Sequence, residues 1–418
     1  MDAEKRNNND NLVVIDYRDI IGDTGKDLAP LLAKAFGGTE PLPNGDENSN
    51  NETVLSSSSS SSRCDSLGII AIRNVPNFIN AKDAFLPLAY QLAHLPQSYL
   101  EKSLTDERSL YNAGWSHGKE KLGDKPDYAK GSFYFNPLTD SPGSEEDRAR
   151  YPASYPCNIW PDESAIPGFE VAAKHLGSIM HGVVVHLSKH IDAYAKSKSS
   201  SYPDNLLYEA MKQTEKAKGR LLYYFPLDNG EEKDDVNNAK DDADIAEDSW
   251  IGWHNDSGFL TALAGDMYID HETGEHLNSQ SIDPNAGLYV LNRNGTKTHV
   301  VIPEDCMAVQ LGECVQIITG GAVIATPHCV RGAKNSNVSG STKIARISHP
   351  CFIDTVPSFP LSMPSGVSRD DVIMAGVEKN APVPPLDDRW IEDGMTLGDF
   401  LQKTFSMYYD WSTKDNTK

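Results

Sequence analysis

The stretch WIGWHNDSGFL, residues 250–260, places an imidazole and a carboxylate two residues apart, at His254 and Asp256. On an extended backbone alternate side chains point the same way, so the two groups converge on one point. His328, in IATPHCVRG, follows an apolar run further along the chain and is the best candidate for a third ligand. Two histidines and one carboxylate form a facial triad with open coordination positions, as in non-haem Fe(II) sites. The three residues therefore form a candidate Fe(II) site, although an HxD pair on its own is more often an ordinary hydrogen-bonded pair at the surface.

A second pair of polar residues follows the distal histidine. Arg346 and Ser348, in KIARISHPCF, lie two residues apart and so share one face of a predicted strand. A guanidinium can hold a carboxylate by two parallel hydrogen bonds, and a hydroxyl can add another. This spacing predicts a carboxylate clamp beside the metal. The alternative is that Arg346 forms a salt bridge within the protein or extends its guanidinium into solvent.

The region around these residues consists of short apolar runs broken by Gly, Pro, Asn and Asp. The runs cover residues 259–263, 287–291, 300–302, 314–318, 322–325 and 344–347. Short strands at this spacing predict a sandwich or jelly roll.

Other parts of the chain predict helices. Apolar residues recur at three- and four-residue spacing over 81–95 and 169–195, and again in the tail 389–411, which we expect to pack on the β core. Short strands are predicted at 12–15 and 67–75. The front half is therefore helix-rich.

Two low-complexity stretches interrupt this pattern. Residues 38–62 include seven consecutive serines, and residues 228–248 carry ten Asp or Glu against two Lys. Such compositions cannot bury enough apolar surface to fold, which predicts a disordered insertion and a solvated acidic loop. Calcium binding by the acidic loop is the alternative, but no EF-hand pattern is present. We expect a division into a helical region 1–205, a catalytic β domain 206–360 and a helical extension 361–418.

Composition bounds the class of protein. The chain has 418 residues and a formal charge of −22, a field that repels phosphate backbones and anionic lipid, so we expect no nucleic acid and no membrane partner. No run of 18 apolar residues and no apolar leader occur. The six cysteines form no CxxC pair and are expected to be reduced thiols. These features predict a cytoplasmic protein, and we expect a monomer.

The order HxD, distant His and RxS resembles the isopenicillin N synthase-like family of Fe(II)- and 2-oxoglutarate-dependent dioxygenases. Further segments are similar to those of this family: VVIDY (13–17), LGIIAIRNV (67–75), NIWPDE (158–163), PGFE (167–170), GLYVL (287–291), VQLGECVQIITGG (309–321) and Phe352. The resemblance implies a mainly β fold with flanking helices, built on a double-stranded β-helix, a jelly-roll and cupin-like core.

The resemblance also implies a role for individual residues. His254, Asp256 and His328 would bind Fe(II), and Arg346 and Ser348 would hold the distal carboxylate of 2-oxoglutarate. Tyr224, in RLLYYFP, matches a family tyrosine that helps to hold this cosubstrate, although Leu222 stands where many members carry Asn. With O2, such an enzyme couples decarboxylation of 2-oxoglutarate to hydroxylation, desaturation or ring closure of a small-molecule substrate.

Three other functions remain open at this stage. An Fe(II) oxidase or cyclase of the same fold would not use 2-oxoglutarate, and Arg346 would then bind a carboxylate of the substrate. A catalytically silent binding module would not need all five side chains of the triad and clamp. A zinc hydrolase would need a positioned base beside the metal, and the sequence offers none.

Other histidines carry weaker signals. His186 and His190 are four apart on a predicted helix, but HLSKH lacks the Glu of the HExxH motif. His271 and His276 lie in a turn-like segment where we expect solvent exposure. Residues 112–122, NAGWSHGKEKL, are interpreted as a polar loop, with a place at the substrate mouth as the alternative.

Overall fold

The structure is a computed structural model that describes residues 11–37, 66–119, 121–122, 125–227, 250–278, 282–334, 342–376 and 383–408. Both predicted low-complexity insertions, 38–62 and 228–248, lie outside these residues.

The described residues form sixteen strands and eleven helices. The strands are β1 (Val13–Asp16), β2 (Ile69–Arg73), β3 (Gly114–His117), β4 (Lys121–Leu122), β5 (Lys125–Pro126), β6 (Lys130–Phe135), β7 (Ala217–Tyr224), β8 (Ile251–His254), β9 (Leu260–Asp270), β10 (Gly287–Leu291), β11 (Lys297–Val300), β12 (Cys306–Leu311), β13 (His328–Arg331), β14 (Ile344–Ile353), β15 (Pro360–Leu361) and β16 (Met395–Thr396). The helices are α1 (Tyr17–Ile20), α2 (Ala29–Phe36), α3 (Phe78–Phe85), α4 (Leu88–Ala93), α5 (Gln97–Ser103), α6 (Glu145–Arg150), α7 (Phe169–Lys198), α8 (Leu206–Gln213), α9 (Glu313–Ile318), α10 (Arg369–Met374) and α11 (Leu397–Tyr408). The prediction of a sheet-rich chain with helices is confirmed.

Two sheets carry the region of the predicted site. The large sheet has the strand order β1-β2-β12-β9-β14-β7-β6-β3, and the small sheet has the order β11-β10-β13-β8. From β7 to β14 successive strands lie in different sheets, except for the β10–β11 hairpin, and every strand pair in this stretch is antiparallel. The helix-rich first half adds β1, β2, β3 and β6 to the edges of the large sheet. The three-part domain division stays a prediction.

The long helix α7 has an apolar face that is buried against the main core. Its deeply buried side chains recur every three or four residues: Phe169, Ala173, Leu176, Met180, Val183, Val184, Leu187 and Ile191. Full burial of one such leucine or valine stabilises the fold by about 1.5–3 kcal/mol. At Gly177 an added Cβ would lie 2.2 Å from the Cβ of Pro137, so glycine allows the helix to approach the end of β6.

Several predicted elements differ from the structure. The apolar run 314–318 was expected to be a strand but forms helix α9, whose six side chains are all buried. A short, fully buried run has no polar face, so periodicity cannot distinguish helix from strand. The run 322–325 makes only an isolated bridge, Gly37 to Val323. The predicted helix 81–95 is split into α3 and α4 near Pro87.

The C-terminal segment agrees with the prediction in part. Helix α11 begins at Leu397, whereas the sequence pattern starts at residue 389. Leu397, Phe400 and Leu401 are buried in the main core, so this tail packs on the rest of the fold as expected. Within the described residues no helix combines the length and apolarity needed to cross a bilayer.

Candidate active site

The three predicted metal ligands lie together. His254 ends β8 and His328 begins β13, and the two residues are directly paired across these strands, with ring centroids 4.2 Å apart. The Oδ1 atom of Asp256 lies 4.0 Å from Nε2 of His254 and 3.9 Å from Nε2 of His328. All three ligand atoms lie within 4.8 Å of one another. This separation is suited to one ion between them.

Both imidazoles are oriented for coordination through Nε2. Nδ1 of His254 lies 2.8 Å from the carbonyl oxygen of Gly252, and Nδ1 of His328 lies 3.0 Å from that of Thr326. Because a carbonyl only accepts, Nδ1–H is the donor and the Nε2 lone pair faces the site. Burial, with a contribution from His328, lowers the pKa of His254 to about 4. Neutral imidazole is the form that binds a metal.

The carboxylate of Asp256 fits a bound cation. Asp256 is buried, and its Oδ2 has no hydrogen-bond partner within the described part of the chain. A buried, unpaired carboxylate oxygen costs about 1–3 kcal/mol or more, and a divalent ion removes this cost. Two imidazoles and one carboxylate, without a thiolate, match the ligand set of non-haem Fe(II).

Asp256 is placed by a loop rather than by strand alternation. The sequence interpretation put both HxD ligands on one extended strand, but β8 ends at His254. The loop instead lies against the start of α9, where the Glu313 backbone N–H donates to the Asp256 carbonyl at 2.8 Å. At Gly312 an added Cβ would lie 2.1 Å from the carbonyl oxygen of Gly258. Any larger residue would push the two backbones apart.

A buried arginine supports the segment before His328. Arg293 donates to Oγ1 of Thr326 at 2.7 Å and to the carbonyl oxygen of Ile324 at 2.9 Å. Burial lowers the pKa of Arg293 to about 9. Sequence reasoning missed this residue, because NRNGT reads only as a polar turn.

The predicted clamp residues also lie close together. Arg346 and Ser348 are buried on β14, and Tyr224 on β7 is the direct cross-strand neighbour of Arg346. The Arg346 Cζ atom lies 4.8 Å from the centre of the Tyr224 ring. Leu222, the residue that departs from the family pattern, pairs with Ser348.

Arg346 is only partly satisfied by the protein. Its Nη2 forms an ion pair with Oδ1 of Asp266, on β9. Its Nε and Nη1 are buried and have no hydrogen-bond partner among the described residues. Although burial opposes the charge, Asp266, Tyr224 and Tyr268 hold the pKa of Arg346 above its ordinary value. The guanidinium is therefore charged and has donors to spare. Asp266, in AGDMYID, carried no signal in the sequence.

Two cavities meet at the metal residues. A small cavity of about 70 Å³ is lined by all six predicted site residues: Tyr224, His254, Asp256, His328, Arg346 and Ser348. A larger one, of about 400 Å³, shares five lining residues with it: Arg220, Ile251, His254, Asp256 and Phe352. From the part 112–119 of the segment 112–122, only Asn112 lines the larger cavity, and its Oδ1 accepts a hydrogen bond from Lys218 at 2.7 Å.

The weaker histidine candidates do not form a second metal site. Among the described residues, His254, Asp256 and His328 are the one group that could hold an ion. His190 lies 2.8 Å from the carbonyl oxygen of Ile20. His271 was expected to be exposed, but it is half-buried and contacts the hydroxyl of Tyr223 at 2.7 Å, while His276 is exposed as predicted.

Comparison with known proteins identifies the fold. No protein-family model and no curated protein matches the sequence. Among solved structures, a 2OG-Fe(II) oxygenase family protein from Caulobacter crescentus is similar over 95% of this chain and 99% of its own, with a TM-score of 0.58 and 17% identity. A full-length Neurospora crassa protein in complex with alpha-KG and thymine is similar over 96% of this chain and 98% of its own (TM-score 0.55, 16% identity).

A third similar structure is JOX2 in complex with 2OG, Fe and JA, which covers 94% of this chain and 84% of its own, with a TM-score of 0.53 and 12% identity. The chain thus has the fold of the 2OG-Fe(II) oxygenases. This agrees with the family that the sequence motifs indicated.

Proposed function

We propose that the protein is a non-haem Fe(II)- and 2-oxoglutarate-dependent oxygenase. The observation that carries this proposal is a pair of unsatisfied sites on one cavity. Oδ2 of Asp256 and both Nε and Nη1 of Arg346 are buried without a hydrogen-bond partner in the described part of the chain, and both residues line the same 70 Å³ space. A metal-chelating dicarboxylate would satisfy both ends.

Each site residue then has a distinct task. His254, Asp256 and His328 would hold the iron, which when bound supplies the chemistry of O2 activation. Arg346 and Ser348 would bind the distal carboxylate of 2-oxoglutarate by charge-assisted hydrogen bonds. Tyr224 packs on the guanidinium and would fix its orientation. The similar folds in complex with alpha-KG or 2OG, in the Neurospora crassa protein and in JOX2, support this assignment.

We also propose that β7 to β14 form the double-stranded β-helix that the family resemblance implies. The supporting observation is their even distribution: β12-β9-β14-β7 are neighbours in the large sheet, and β11-β10-β13-β8 make up the small one. The small cavity is lined by residues of both sheets. The metal site would then lie between the two sheets of this β-helix.

The larger cavity favours a small-molecule substrate. Phe352, Leu401 and Phe405 give it apolar walls, whereas Lys218 and Arg220 bring N–H donors. Such a lining suits a compact molecule with an apolar body and an acceptor group such as a carboxylate. Hydroxylation, desaturation or ring closure would follow. A monomeric cytoplasmic enzyme without nucleic-acid or membrane partners remains our expectation.

The decisive experiment measures succinate formed by purified protein with Fe(II), 2-oxoglutarate and O2. Cell extract, separated on an anion exchanger, supplies substrate fractions that should accelerate this reaction. The anaerobic complex should show a visible absorption band only when both Fe(II) and 2-oxoglutarate are present. If the parent shows no band and forms no succinate with any fraction, the substrate-carboxylate oxidase replaces this proposal. The His254→Ala, Asp256→Ala, His328→Ala triple variant is the control.

A further inference from the structure

The loop that carries Asp256 is held at two successive positions by Glu313, while Cys314 and Asp354 hydrogen-bond to its later residues, 257–259. The backbone N–H of Glu313 donates to the Asp256 carbonyl, and its Oε1 accepts a hydrogen bond from Nδ2 of Asn255 at 3.0 Å. Glu313 therefore fixes two successive residues, one of which is a proposed iron ligand. Because Glu313 is only 1% exposed, its carboxylate needs a charged partner inside the protein.

That partner is Arg389, which comes from the C-terminal segment and is fully buried. Its Nη1 and Nη2 donate to the two carboxylate oxygens of Glu313. Its three remaining N–H groups are directed at the Thr404 hydroxyl (Nη1, 3.5 Å) and at the carbonyl oxygens of Pro384 (Nη2, 3.0 Å) and Pro385 (Nε, 3.2 Å). A forked ion pair of this kind fixes the plane of the carboxylate.

The same C-terminal segment, residues 383–408, also reaches the substrate side of the site. Leu401, Thr404 and Phe405 of α11 line the 400 Å³ cavity beside His254. Glu313 and Arg389 line neither cavity, so they can influence the site only through the residues they hold.

We propose that Glu313 is a positioning residue for Asn255 and Asp256, and that Arg389 makes the C-terminal segment part of the iron site. This inference rests on the proposed function. The chain of contacts runs from Arg389 to the Glu313 carboxylate, then to the Asn255 amide and the backbone of Asp256. It sets where the Asp256 carboxylate stands relative to the two imidazoles.

The experiment measures Co(II) binding, which needs neither O2 nor substrate and gives a visible spectrum. Arg389→Met should weaken Co(II) binding at least tenfold and change the shape of its spectrum, and Arg389→Lys should recover part of the affinity. Asn255→Ala removes the hydrogen bond from the half-buried Asn255 amide to Glu313 and keeps the ion pair between Glu313 and Arg389. It should also weaken Co(II) binding several-fold, and its effect should not add to that of Arg389→Lys.

The matched control is Arg369→Met. Arg369 holds the same segment by donating to the carbonyl oxygens of Trp390 and Asp387 rather than to the Glu313 carboxylate. This variant should lose thermal stability and keep its Co(II) affinity. Amide exchange of metal-free protein should accelerate over residues 254–259 in Arg389→Met and stay at the parental rate in Arg369→Met.

The outcomes separate the two proposals. If the parent binds Co(II) and both Asn255→Ala and Arg389→Met bind it within twofold of the parent, the positioning role is wrong and the metal site stands. Should Arg389→Met not fold, Asn255→Ala alone decides the matter. If the parent binds no Co(II), both the proposed function and the positioning role are overturned.

Discussion

Two buried arginines face carboxylates in this protein, and the regions around them differ in one respect. Around Arg389 every guanidinium nitrogen has an acceptor: both Oε atoms of Glu313 and two backbone carbonyls. Around Arg346, as far as the structure describes the chain, only Nη2 has an acceptor, Oδ1 of Asp266, whose side chain is 33% exposed. Both side chains are buried, but their guanidinium groups differ in how many of their nitrogens have a hydrogen-bond acceptor.

This difference separates a structural ion pair from a binding site. A buried donor without an acceptor costs free energy of folding. A side chain that retains two such donors is therefore expected to use them in binding a ligand. At Arg346 the spare donors face a cavity that also contains the three metal ligands. At Arg389 all five N–H groups are directed at acceptors within the described residues, because Nη1 also reaches the Thr404 hydroxyl. The first region is expected to respond to ligands, and the second to hold the fold.

The largest expected effect tests the metal end of the unsatisfied region. Asp256→Ala should abolish turnover and stoichiometric Fe(II) binding, measured by metal analysis. Thermal stability of the metal-free protein should be unchanged or higher, because the substitution removes a buried carboxylate oxygen that lacks a partner. A marked fall in melting temperature of the metal-free protein would show that Asp256 is a structural residue.

A substitution in the region around Arg389 should instead lower the stability of the metal-free protein. Arg389→Met leaves the Glu313 carboxylate buried without its counter-ion, which should lower the free energy of unfolding by about 3–5 kcal/mol. Urea unfolding of the metal-free protein measures this loss. The Glu313→Gln, Arg389→Met double variant is the control and should recover part of it, because a neutral amide is cheaper to bury. A loss below about 1 kcal/mol would contradict the assignment.

Arg346 should matter more for ligand binding than for folding. Arg346→Ala should weaken 2-oxoglutarate binding by about 2–4 kcal/mol, or roughly 30- to 1000-fold, because the carboxylate loses a forked, charge-assisted partner. Arg346→Lys should restore only part of the affinity, since an ammonium cannot form the fork. The visible band of the anaerobic complex reports binding. If Arg346→Ala bound 2-oxoglutarate as tightly as the parent, Arg346 would not be a ligand-binding residue.

The smallest expected effect concerns Asp266. This carboxylate competes with the ligand carboxylate for the same guanidinium, so Asp266→Asn should tighten 2-oxoglutarate binding. Because Asp266 is partly exposed, the gain should be about two- to fivefold. Asp270→Asn, on the same strand, is the control and should leave affinity unchanged. Weaker binding in Asp266→Asn would instead show that Asp266 orients Arg346.

Local spacing made much of the site predictable. RxS places two side chains on one face of β14, whereas the loop after β8 brings Asp256 beside His254, and all five residues named by these motifs and the distal His line one cavity. Contacts between distant segments could not be predicted in this way. Glu313 and Arg389 are 76 residues apart, and Glu313 directly precedes the apolar run 314–318, whose complete burial gave no helical periodicity. No local pattern records such a pairing.

The place of β2 in the large sheet has a consequence for biosynthesis. This strand, IIAIR, lies between β1 and β12, so its second edge is closed by residues 306–311. At about 5–20 residues per second, the ribosome adds the 232 residues from 74 to 305 in roughly 12–46 s. During that interval β1 and β2 can form only a two-stranded ribbon with an open apolar edge. The exposed edge of β2 can pair with other chains during this time. We therefore expect slower translation, or a limited supply of chaperone, to reduce the yield of folded protein.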